Sequence, residues 1–233
     1  MIVLCLGYTL SQFLRISVGV LAPELMDTLH ISHENMGVLG GVFFLSFAFF
    51  QIPSGILLDR FGPRRVMSIV ILFAFLGSVL FALADNYHSL LIARILMGFG
   101  CSICLMGSLV LITKWAPSNF SVLAGTILGI GGIGGLLATT PLSMLADTYG
   151  WRSAFWISAI VISIIALLYF IIIRDDPKVV DDGEEEIMKD SLNILKIIRQ
   201  RDFKFMVPMS LMSYSSFVVV LGLWGASYLK DIQ

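Results

Sequence analysis

Two stretches of this chain carry the same text at one constant offset. Pro53, Leu57, Asp59, Phe61, Gly62 and Arg64 align without a gap with Pro141, Leu145, Asp147, Tyr149, Gly150 and Arg152. Each stretch is a knot of charge and glycine between long apolar runs. In the first, Q-I-P-S-G-I-L-L-D-R-F-G-P-R-R from Gln51 to Arg65, the charges of Asp59, Arg60, Arg64 and Arg65 are costly in hydrocarbon. Gly62 and Pro63 supply a tight reversal. Both stretches therefore read as turns at a membrane surface, each joining two antiparallel spanning helices.

The rest of the composition requires that setting. With 58% hydrophobic residues, 13% charged residues and a mean hydropathy of +0.93, a soluble fold would turn most of its apolar surface to water. The formal charge of −1 gives no reason to expect a nucleic-acid partner. The apolar runs are Ile2 to Met26, Met36 to Leu58, Val66 to Ala84, Leu90 to Thr113, Ser121 to Ala146, Ser153 to Ile173 and Phe205 to Leu229. Each is long enough to span a hydrocarbon core that needs about 20 helical residues. The first is not a signal peptide, because it lacks a basic start and carries Gln12 and Arg15 in its middle. The two corners follow the second and the fifth run, so three helices separate them and they fall on opposite membrane faces. Three-helix units repeating in opposite orientation are characteristic of secondary transporters.

Lysine and arginine orient the bundle. One side collects Arg60, Arg64, Arg65, Lys114, Arg174 and the basic residues from Lys178 to Lys204, against Arg152 and Lys230 on the other. The basic side is cytoplasmic by the positive-inside rule. Residues 1–173 read as a six-helix transmembrane domain. Residues 174–204 form a charged cytoplasmic linker in which Ser191 to Arg201 fits an amphipathic helix on the membrane surface. Residues 205–233 hold the first helix of a second transmembrane domain whose remainder is missing. The expected fold is an all-α polytopic membrane helix bundle of two inverted three-helix repeats plus a seventh helix.

G-I-L-L-D-R-F-G-P-R-R, Gly55 to Arg65, resembles the loop between helices two and three of the major facilitator superfamily, with Gly55, Asp59, Arg60, Gly62, Arg64 and Arg65 at matching positions. R-I-L-M-G-F-G, Arg94 to Gly100, is similar to that family's fourth-helix motif, with Met97 in place of the usual glutamine. The resemblance implies the major facilitator fold and a multi-pass protein of a plasma membrane, the bacterial inner membrane being the expected one. It implies a latch of Asp59 with its arginines on the cytoplasmic side, and a buried role for Arg94 in proton coupling. No aspartate or glutamate stands mid-helix, so the proton-carrying acid is either Glu24 or lies in residues this chain lacks. The glycines of the fifth run do not follow the family's G-P-x-x-G-G antiporter spacing, so drug/proton antiport is not supported.

Arg15 is the clearest pointer to a substrate. It stands about 20 Å along a helix from Ile2, which places it near mid-bilayer, where a guanidinium is costly unless it faces a wet cavity. Tyr8, Ser11 and Gln12 share its helical face. A cation there suits a carboxylate or phosphate, which arginine grips with two parallel hydrogen bonds. The competing reading pairs Arg15 with a carboxylate of the missing half. Ser210, Ser213 and Tyr214 make a comparable polar stripe on the seventh run. Cys101 and Cys104 form a C-x-x-C, but within a spanning helix they read as small packing residues rather than a redox or metal site.

The functional expectation is a secondary transporter, not an enzyme. It needs no cofactor and moves a small organic, anionic solute by proton-coupled alternating access, with the lipid bilayer and the missing half as its partners. Efflux of hydrophobic compounds and an inert transporter half are the alternatives.

Overall fold

The computed structural model describes residues 1–174, with Met209 and Met212 besides. Residues 1–174 lie within one compact unit, Met1–Asp182. Helices account for the regular structure among the described residues: α1 (Ile2–Val20), α2 (Ala22–Leu29), α3 (His33–Phe61), α4 (Pro63–Ala82), α5 (Tyr87–Trp115), α6 (Phe120–Leu137), α7 (Thr140–Tyr149) and α8 (Trp151–Ile172). A 3-10 turn, Pro117–Asn119, leads into α6. Among the described residues, six spans are long and apolar enough to cross a membrane, α6 and α7 together forming the fifth. The expected interfacial helix and seventh helix lie outside the described residues.

The helix boundaries follow local chemistry. Ser32 accepts from the Asn35 N–H at 3.3 Å at the start of α3, and Asn86 accepts from the Ser89 N–H at 2.9 Å at the start of α5. Gly62 and Gly150 each end one helix and begin the next, at φ 79°, ψ 154° and φ 79°, ψ 155°. That region of backbone space is open essentially to glycine alone. The repeated sequence thus produces the same turn twice.

Two expected helices are interrupted. The first run does not continue to Met26, because α1 ends at Val20 and Pro23, near the start of α2, cannot donate to the preceding turn. Arg15 consequently stands only about 8 Å from the C-terminal end of α1, well past the middle of that helix. The fifth run breaks at Ala138 and Thr139, just before Pro141.

The inverted repeat has a direct structural expression at α4 and α8, which pack against each other. Arg64, in the first turn of α4, donates from Nε to the Phe170 carbonyl near the end of α8 at 2.8 Å. Arg152, in the first turn of α8, donates to the Ala84 carbonyl just past the end of α4 at 3.0 Å and to Asp85 Oδ1 at 3.1 Å. Equivalent arginines of the two corners therefore bind carbonyls at the other helix's C-terminus, where a cation also favours the helix dipole. This reciprocity puts the corners at opposite ends of α4, about 30 Å apart along a 20-residue helix.

Candidate functional site

α5 enters the bundle with Arg94 seven residues past its first residue, and the side chain is fully buried. A buried guanidinium needs acceptors, and the neighbouring backbones supply them. Nη1 donates to the Leu14 carbonyl of α1 at 2.8 Å and Nε to the Leu39 carbonyl of α3 at 3.4 Å. Its Cζ also lies 4.4 Å from the centre of the Phe43 ring. Arg94 thus ties three helices together and does not extend to the membrane surface. Gly98, one turn further along, lets α5 close onto α3, since a Cβ there would lie against the Phe43 carbonyl oxygen.

Arg15 occupies the next level of the same aromatic column. Its Cζ lies 4.7 Å from the centre of the Phe47 ring and 5.7 Å from that of Phe44. Phe43 and Phe47, one helical turn apart on α3, have nearly parallel rings. A guanidinium resting on a ring presents its N–H donors around its edge while the ring supports its face. Arg15 is half-buried, as is Gln12 beside it. Ser11 is buried beside Cys101 of α5, and Tyr8 is buried against Gly131 of α6. The polar stripe therefore divides: Arg15 and Gln12 keep exposed surface, whereas Ser11 and Tyr8 are packed between helices. Ser210, Ser213 and Tyr214 lie outside the described residues.

The corner residues also take separate positions. Asp59, Arg60 and Arg65 are exposed, with Arg60 Cζ 5.2 Å from the centre of the Phe61 ring. Arg64 is half-buried, its guanidinium over Phe170 as well as bonded to that residue's carbonyl. Gly55 leaves room for Met106 of α5, whose Cε would lie 3.1 Å from an added Cβ. Glu24 is remote from this face. Its Oε1 accepts from the Trp151 N–H at 3.1 Å, so the carboxylate caps the first turn of α8.

Sequence reasoning missed the phenylalanine column and the helix-capping partners of Glu24, Arg64 and Arg152. The column had a signal, since Phe43, Phe47 and Phe50 recur at helical spacing. The carbonyl partners had none, because any backbone can supply them.

The profile of the Major Facilitator Superfamily matches residues 4–232. The chain belongs to that family. Among curated relatives, it is 25% identical over 176 residues to a probable sulfoacetate transporter of Cupriavidus necator, covering 75% of this chain and 41% of that protein. It is 28% identical over 166 residues to a hexuronate transporter of Bacillus subtilis, covering 70% of this chain and 39% of the relative. With a nitrate/nitrite transporter of Nostoc punctiforme it shares 29% identity over 166 residues, 68% of this chain and 31% of the other. The chain spans less than half the length of these relatives. As a member of this superfamily it is a multi-pass integral membrane protein.

Proposed function

We propose that the complete protein is a secondary transporter of a small organic anion, working by alternating access and coupled to protons. The observation that carries this reading is Arg15, a half-buried cation inside a spanning helix, held face-on by Phe47 and Phe44. The planar fork of such a group suits a carboxylate or similar oxyanion. Gln12, one helical turn before it, adds a neutral hydrogen-bonding group. Tyr8 and Ser11 are packed between helices and do not share the exposed surface of Arg15 and Gln12. The printed names of three relatives, for sulfoacetate, hexuronate and nitrate/nitrite, all describe anions and support the same class.

In this reading the missing half supplies the opposite cavity wall and the partners of the cytoplasmic latch. Asp59, Arg60 and Arg65 are the exposed members of that latch, Gly55 and Gly62 shape its turn, and Arg64 holds the turn to α8. Arg94 keeps α1 and α3 in register around the anion site. Glu24 is the acid assigned to proton coupling, and its carboxylate holds the first turn of α8 through the Trp151 N–H. The protein works in a plasma membrane, the bacterial inner membrane.

The test is uptake of labelled carboxylates, phosphates and organic cations into vesicles containing the complete transporter. Saturable uptake of an anion, driven by an imposed proton gradient, is the expected result. Transport of organic cations with no response to anions would overturn the proposal.

A further inference from the structure

The two repeats are related by a pseudo-two-fold, and that symmetry fails along one seam. In one pair of helices, α4 lies tightly on α5. A Cβ on Gly77 would come within 2.7 Å of the Ala93 carbonyl oxygen, and one on Gly100 would meet the backbone of Ala74. The offset that relates the two corners places Ile165 of α8 opposite Gly77, and Gln12 of α1 opposite Gly100. Neither counterpart permits the same approach. The equivalent seam between α8 and α1 stays open as a groove of about 420 Å³, flanked by Leu142 and Leu145 of α7.

The chemistry of this groove is uniform. Among the described residues, no charged side chain lines it. Its two hydroxyls are engaged internally, Thr9 Oγ1 donating to the Ile130 carbonyl at 3.2 Å and Ser158 Oγ to the Ala154 carbonyl at 2.7 Å. A cavity without unsatisfied polar groups stays dry and admits apolar guests. Its volume falls in the range of small-ligand sites, about 300–1,000 Å³. Along α8 it runs from Ala154 to Leu168, about 21 Å at the helical rise.

The rim points to the same guest. Ile157, Val161 and Ile164 are exposed at the mouth, and Ile160, Leu167 and Ile171 extend that apolar surface along α8. Helix interfaces in membranes use small residues, which this rim lacks. The outward face of α6 is the contrast, with open space around Gly125, Gly129 and Gly132.

We propose that the α1–α7–α8 groove binds one acyl chain of a membrane phospholipid, entering from the bilayer past Ile157 and Ile164. Because the surroundings are already hydrocarbon, binding draws on the dispersion contacts that an unfilled seam forfeits. The site reads chain length and shape and is indifferent to the headgroup.

The test uses the full chain in nanodiscs of a phosphatidylcholine with brominated acyl chains, subsequently exchanged against the unbrominated lipid. A tryptophan introduced by Ile164→Trp should stay quenched well after one introduced by Ile171→Trp, on the open surface of α8, has recovered. Native mass spectrometry should find a single retained phospholipid with either phosphatidylcholine or phosphatidylglycerol. The double variant Ala154→Leu, Ser158→Leu, which fills the floor, should lose it. If that variant does not fold, the two tryptophan reporters still decide the question. Recovery at position 164 as fast as at 171 would overturn the proposal. So would absence of quenching at 164, which would mean that protein covers the groove, or retention that follows the headgroup.

Discussion

In the first repeat, α3 runs unbroken for 29 residues with Pro53 inside it; in the second, the equivalent Pro141 stands just after a break that separates α6 from α7. The proline is common to both, so the difference comes from what precedes it. Before Pro53 the side chains include Phe43, Phe47 and Phe50, which engage Arg94, Arg15 and Phe99 on neighbouring helices and hold α3 in register. Before Pro141 come Gly131, Gly132, Gly134 and Gly135, each costing the helix about 1 kcal/mol relative to alanine. Two of them are committed to α1: a Cβ on Gly134 would meet the backbone of Thr9, and one on Gly131 the ring of Tyr8. α6 is drawn onto α1 while α7 turns onto α8. The comparison teaches that the reversals were kept alike while the helices between them took different tasks, an aromatic platform in one repeat and close packing with a bend in the other.

Arg94 gives the strongest way to break that comparison, because the corner offset places Leu6, an exposed residue of α1, opposite it. Arg94→Ala empties a large buried site and removes both carbonyl bonds, so it should cost about 3–5 kcal/mol, in the range of large-to-small core substitutions. Leu6→Ala should change stability by less than about 0.5 kcal/mol. Thermal unfolding of the purified variants measures both, and similar losses at the two positions would contradict the assignment of Arg94 as the tie between α1, α3 and α5.

A smaller effect is expected at the glycines. Gly100→Ala pushes a methyl group into Ala74 and should cost about 1–3 kcal/mol as overpacking. Gly132→Ala meets open space and should be neutral or slightly stabilising through helix propensity, by up to about 1 kcal/mol. The same unfolding assay ranks them, and equal losses would show that α6 is packed on all sides.

The smallest effects belong to the paired arginines. Arg152 is 40% exposed and its partner Asp85 87%, so the ion pair itself contributes about 0–1 kcal/mol. Arg64→Gln and Arg152→Gln should cost about the same apart from that pair, since each guanidinium also rests on a ring, Phe170 at 4.6 Å and Trp151 at 4.4 Å. High salt should narrow the gap between wild type and Arg152→Gln more than that for Arg64→Gln. An unchanged gap for Arg152→Gln would place its contribution in the carbonyl bond and the Trp151 ring rather than in the ion pair.

Much of the architecture was legible because membrane spans and their corners are written in strong signals. A run of apolar residues ended by Asp59, Arg60 and Gly62 has few other readings, and its second copy at Asp147 and Gly150 fixes the inversion. The break at Ala138 was not legible, because Pro53 shows that the same proline can be accommodated within a helix when its neighbours hold the backbone. The residues singled out by type sit in settings that the sequence alone does not show. Arg15 stood out as a cation in an apolar run, but its depth depended on where α1 ends, and its support depended on rings from another helix. Glu24 attracted a proton-carrying role as an acid near a helix end, while its contact with Trp151 spans more than half of the described chain.

Anion recognition by Arg15 is tested most directly by measuring substrate affinity and thermal stability together for Arg15→Lys and Arg15→Ala in the complete transporter. Lysine keeps the charge but loses the planar fork and its seat on Phe47. The account predicts wild-type folding for Arg15→Lys with affinity reduced at least about tenfold, equivalent to about 1.4 kcal/mol. Unchanged affinity in Arg15→Lys, together with marked loss of stability in Arg15→Ala, would contradict it and make Arg15 a structural ion-pair partner of the other half.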